Sequence, residues 1–121
     1  MKKDLIKPTN RIAKLNSLIH KEVGEILLPL TSGQNALVTI SKVDVSKDTR
    51  WAKVWISIVG GDDDKIMDLI KENIYDIQGE LNRRVNLKLV PRLQFFLDTS
   101  PRHAQHINEL IERIHEEEEE K

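Results

Sequence analysis

Leu37 to Val59 reads LVTISKVDVSKDTRWAKVWISIV, and this stretch decides the fold. In its second half, Ala52, Val54, Ile56 and Ile58 fall on one face, while Trp51, Lys53, Trp55 and Ser57 fall on the other. That alternation is the mark of a strand with one face buried. The first half, Leu37 to Val45, is rich in β-branched residues, which suit a pleated surface. Its alternation slips, however: Val38 and Ile40 share one phase and Val43 and Val45 the other. A bulge near Ser41 and Lys42 would bring both pairs to one face. The polar stretch between the halves, Ser46 to Arg50 (SKDTR), joins the two strands as a hairpin.

Upstream, Thr9 to Leu30 carries Ile12, Leu15, Leu18, Ile19, Val23, Ile26, Leu27 and Leu30 at three- and four-residue steps. This is the stripe of an amphipathic helix. Thr9 or Asn10 is its expected cap, and Pro29 followed by TSGQN its expected end. Downstream, Gly60 and Gly61 break the second strand. Asp62, Asp63 and Asp64 then open a helical pattern that runs through Ile66, Met67, Leu69, Ile70, Ile74, Ile77 and Leu81 to Val85. Acidic residues in a first turn suit the helix dipole. Gly79 lies inside the pattern, which predicts a bend, or a break into two helices, between Tyr75 and Asn82.

Leu87 to Asp98 reads as a third strand, with Leu93, Phe95 and Leu97 on one face and Pro91 at its entry or on an unpaired edge. Ser100 and Pro101 are a good helix start, and Ile107, Leu110, Ile111 and Ile114 make a short apolar stripe after them. The order is helix, two strands, a long or broken helix, strand, helix. It predicts an α+β two-layer domain, with a small three-stranded sheet and the helices on one face. Residues 1–115 are expected to form one monomeric domain and 116–121 a disordered acidic tail.

The formal net charge of −1 includes five negative charges from Glu116 to Glu120, so the body of the chain is mildly basic. Its cations cluster, with Lys2, Lys3, Lys7, Arg11 and Lys14 at one end and Arg83, Arg84, Lys88 and Arg92 later. Clustering of this kind is the electrostatic footprint of a nucleic-acid partner, and it also fits a solvated polar face. The chain has no cysteine, which excludes disulfides, thiolate metal sites and cysteine nucleophiles and fits a reducing compartment. No apolar run approaches the ~18 residues of a membrane span, and the basic start lacks a signal peptide's apolar segment. A cytoplasmic location with no membrane contact is expected.

No phosphate-binding glycine loop or nucleophile elbow is present, so no enzymatic activity and no cofactor are expected. Asp62, Asp63 and Asp64 could attract magnesium, but consecutive side chains diverge around a helix start, and capping explains them better. His103 and His106 share a helical face with Glu109 but lack a further ligand, so no metal site is expected. Trp51 and Trp55 flank Lys53 on the face away from the apolar set. They either stack on bases or are covered by another element or by the N-terminal arm.

Val38 to Ser57 resembles the hairpin of the ribosome-binding factor A family. The family has a run of valine, acidic residue, valine, serine, any residue and aspartate, here Val43, Asp44, Val45, Ser46 and Asp48. It then has alanine, lysine and valine, here Ala52, Lys53 and Val54. Arg11 and Ile12, Leu81 with Arg83 and Arg84, Leu87 and Lys88, and Pro91, Leu93, Phe95 and Asp98 extend the resemblance over nearly the whole chain except the tail. It implies a type II KH-like fold with a bent helix pair, and binding to the small ribosomal subunit and its rRNA during late maturation and rRNA processing. Assembly GTPases are implied as functional neighbours. Arg11, Lys14, Arg83, Arg84, Lys88 and Arg92 are the expected phosphate contacts, with Lys53 and the two tryptophans as additions. The competing expectation is a protein-interaction module that docks a partner on Trp51 and Trp55. One departure stands out: the family's alanine, any residue and glycine kink, followed by an aromatic, isoleucine and arginine, reads here Asn73, Ile74, Tyr75, Asp76, Ile77 and Gln78.

Overall fold

The structure, a computed structural model, describes residues 8–100, with side chains from Arg11 onward. The expected C-terminal helix, the histidine pair with Glu109 and the glutamate tail lie outside the described residues. Helix α1 spans Pro8–Thr31, strands β1 and β2 span Leu37–Val45 and Trp51–Val59, helices α2 and α3 span Asp63–Glu72 and Ile74–Arg84, and strand β3 spans Arg92–Leu97. The sheet order is β1-β2-β3, antiparallel between β1 and β2 and parallel between β2 and β3. This is the expected α+β arrangement of one small sheet with the helices packed on one face.

The bulge lies where the slipped alternation requires it, with the register shifting between Ile40 and Lys42. Ile40 is therefore opposite Ile56, Val43 opposite Val54 and Val45 opposite Ala52, so both phases of β1 point inward. Ile19 and Val23 of α1, Ile66 and Ile70 of α2 and Leu81 of α3 meet this inner face and are fully buried. Each such aliphatic side chain contributes about 1.5–3 kcal/mol by leaving water. The hairpin turn is held by its own polar groups. Thr49 adopts φ 60° and donates its N–H to the Ser46 carbonyl at 2.9 Å, while the Ser46 hydroxyl donates to Asp48 Oδ1 at 2.6 Å.

Three elements end differently from expectation. Helix α1 starts at Pro8, so Thr9 and Asn10 lie within it, and it runs through Pro29 to Thr31. The helix continues only two residues beyond Pro29, and the Thr31 hydroxyl donates to the Leu27 carbonyl at 2.9 Å. The stop is Asn35, in the left-handed region at φ 53° after a single 3₁₀ turn at Ser32–Gln34. Strand β3 begins at Arg92 rather than Leu87, because its partner β2 begins at Trp51, opposite Arg92, and residues before Arg92 have no ladder to join. Pro91 sits at the strand entry.

The long helical pattern breaks at Asn73, upstream of the expected interval, and α3 passes through Gly79 without interruption. The Asn73 side chain donates to the Leu69 carbonyl at 2.8 Å and its backbone N–H to Ile70 at 3.2 Å, which closes α2. Its own carbonyl accepts the Ile77 N–H at 2.9 Å and starts α3. Asparagine competes for backbone groups in this way and so takes the place of a kink glycine. Gln78 also differs from the family pattern. Its amide donates to the Pro91 carbonyl at 3.0 Å and accepts the Leu93 N–H at 2.9 Å, satisfying backbone groups of β3 that no further strand pairs among the described residues.

Candidate nucleic-acid interface

The three helices pack on the inner face of the sheet, so the outer face is built by the alternate residues of its strands. Register places Lys42 opposite Trp55, Asp44 opposite Lys53, Trp51 opposite Arg92, Lys53 opposite Gln94 and Trp55 opposite Phe96. Cations and aromatic rings therefore share this face, with Asp44 and Gln94 on either side of Lys53. The Trp55 and Phe96 rings lie 5.5 Å apart, and Lys42 Nζ sits 5.2 Å from the Trp55 ring centre, within cation–π range. Trp51 is 42% exposed and Phe96 39%, whereas Trp55 is half-buried between its neighbours.

One end of this face is the most basic. Arg92 donates its backbone N–H to the Arg50 carbonyl at 2.8 Å, which fixes the two arginines side by side. Arg50, Trp51, Leu89, Val90 and Arg92 line a surface depression there, and Lys88 lies in the loop that borders it. Asp44, opposite Lys53, and Asp48 are acids near this end, and the Ser46 hydroxyl, with the Arg50 N–H, holds the Asp48 carboxyl below the ordinary value. At the opposite end, the Ser41 hydroxyl donates to Asp98 Oδ2 at 2.6 Å, across β2.

The sequence-predicted cations thus divide. Lys53 and Arg92 share the outer face with the tryptophans, and Lys88 is exposed in the loop that leads into β3. Arg11 and Lys14 are exposed on α1, in the helical layer on the other side of the sheet. Arg83 and Arg84 end α3, and the expectation that both project freely to solvent fails for Arg84. Its guanidinium pairs with Glu25 at 2.8 Å, Glu80 at 3.2 Å and Glu22 at 3.3 Å, tying α3 to α1. Arg83, 71% exposed, pairs among the described residues with Glu80, at 2.6 Å, within its own helix. Lys42, Arg50 and Phe96 were missed. Phe96 was readable from the inward Leu93, Phe95 and Leu97, and Lys42 from the bulge, but the pairing of Arg50 with Arg92 needs the sheet.

Among the described residues no cluster of histidine and carboxylate groups could hold a metal. Asp62 caps α2, accepting the Lys65 N–H at 3.2 Å. No described helix is long and apolar enough to cross a membrane.

The sequence model of ribosome-binding factor A matches residues 11–111. Ribosome-binding factor A of Clostridium novyi is 33% identical over 113 residues, covering 88% of this chain and 91% of its own. The Opitutus terrae protein is 31% identical over 108 residues, covering 88% of each chain. The crystal structure of ribosome-binding factor A from Thermus thermophilus superposes with a TM-score of 0.63 at 22% identity, covering 71% of this chain and 94% of that one. A homology model of the Thermus thermophilus factor, fitted into a cryo-electron microscopy map of a 30S complex, gives a TM-score of 0.62 at 20% identity over 69% and 91% of the two chains. With the fold, the hairpin and most of both chains in agreement, this chain belongs to the ribosome-binding factor A family.

Proposed function

We propose that this chain is a ribosome assembly factor that binds the immature small ribosomal subunit through its rRNA in the cytoplasm and promotes late maturation and rRNA processing. It acts by binding alone, favouring one rRNA conformation over others through a difference in affinity. Assembly GTPases are its expected functional neighbours. Membership of a family named for ribosome binding supports the reading, as does the 30S complex of the Thermus thermophilus relative. The observation that carries it is the outer sheet face, where Lys42, Lys53 and Arg92 lie among Trp51, Trp55 and Phe96. Unpaired bases stack on such rings while the cations take phosphates.

The test is sedimentation with small-subunit particles, followed by titration of an rRNA fragment across a salt series. Replacing Lys53 and Arg92 together by alanine is expected to weaken binding and to flatten the logarithmic salt slope by about 1.4–1.8, two phosphates' worth. A slope and affinity equal to wild type in a folded variant would refute this face as the RNA surface. The exposed Trp51 beside Leu89, itself 56% exposed, favours a second reading, a protein partner docked on the same face. Binding that persists at high salt and requires Trp51 would favour that partner.

A further inference from the structure

We propose that the outer sheet face is the docking surface for the chain's own residues 101–120, which cover it as a helix and bring the glutamate run onto its basic end.

Three observations converge. The first is the exit point. Asp98 follows β3 directly, donates its N–H to the Ile56 carbonyl at 2.7 Å and accepts the Ser41 hydroxyl across β2. Its other carboxylate oxygen accepts the Ser100 N–H at 2.9 Å, turning the chain at the edge of this face. The second is apolar complementarity: Ile107, Leu110, Ile111 and Ile114 are spaced as one helical stripe, and Trp51, Trp55 and Phe96 present exposed or half-buried rings to receive it. The helices already present leave the inner face full, and the aromatic face is where such a stripe can be buried.

The third is length matched to charge. A helix over residues 100–115 is about 24 Å long. The path back along β3, from Asp98 to the level of Arg92 and Trp51, is about 20 Å. A helix returning along the sheet therefore delivers Glu116–Glu120 just past that level, beside Arg50, Arg92, Lys53 and Lys88. Five carboxylates meet the cations that the proposed function assigns to phosphates. The tail would then compete with rRNA for the same face. That consequence rests on the function proposed above, whereas the docking itself does not.

Trp51 and Trp55 are the chain's only tryptophans and both belong to this face, so they report docking directly. In the full chain, Ile107→Asp with Ile111→Asp is expected to shift tryptophan emission to the red and raise its quenching by acrylamide. Equal emission and quenching in the two proteins, both folded, would overturn the proposal. A second measurement does not perturb the stripe. The chain has no cysteine, so Arg113→Cys carries a single nitroxide label. Docking requires that label to broaden the indole N–H signals of Trp51 and Trp55. Unbroadened signals overturn it, as does broadening only when labelled chains are mixed with unlabelled ones, which would mean a second copy on the face. Replacing Glu116–Glu120 with glutamine is then expected to tighten binding of a single-stranded rRNA fragment. Broadened indole signals without that gain would uphold docking and count against the face as the rRNA surface.

Discussion

Replacing Gly79 by alanine separates the two readings of the long helical segment. If the segment bent at this glycine, a side chain there would oppose the bend and destabilise the protein. In the structure the break belongs to Asn73, and Gly79 sits in the uninterrupted interior of α3. A Cβ at this position meets nothing nearer than the tip of the Arg83 side chain, at 3.7 Å, an ordinary contact with a flexible group. The substitution therefore realises most of the difference in helix propensity between glycine and alanine, about 0.8–1 kcal/mol of added stability. For a domain of this size that raises the melting temperature by about 4–8 °C. Urea unfolding of wild type and Gly79→Ala, with a calorimetric scan, measures both quantities. A lower midpoint at an unchanged m-value would refute the placement of the break.

Gln78→Ala should destabilise by about 1–3 kcal/mol in the same assay, because it leaves the partly buried Leu93 N–H and Pro91 carbonyl without their partner. Arg83→Ala should leave the melting temperature near wild type, since its ion pair is exposed and local. Arg84→Ala should lower it, because Glu22, Glu25 and Glu80 are left together without their cation; equal melting temperatures for the two variants would refute the distinction. Asp48, Asp98 and Glu80 are held below ordinary carboxylate values, chiefly by hydrogen bonds from Ser46, Ser41 and Arg83 respectively. Depressed folded-state values stabilise the protein above about pH 4, the ordinary carboxylate range, and this stabilisation is lost as pH falls through them. Urea midpoints should therefore drop below that pH, and Asp98→Asn should make the drop shallower.

The local pattern of the chain determined the β1–β2 hairpin almost completely. Alternation in Trp51–Val59 set which side chains face inward, and the slipped phase at Val43 required the bulge, because a period of two leaves one way to bury both halves of β1. Composition and the family-like hairpin pointed to rRNA. Tertiary structure decided where elements end and which cations are available. The start of β3 depends on where its distant partner begins, which no window of sequence contains. The helix break went to Asn73 rather than Gly79 because an asparagine side chain bonding back to Leu69 ends a helix, whereas a glycine only permits it to bend. Arg83 and Arg84 are adjacent and alike in sequence. They differ because a helix turns about 100° per residue, so that one faces solvent while the other faces the glutamates of α1.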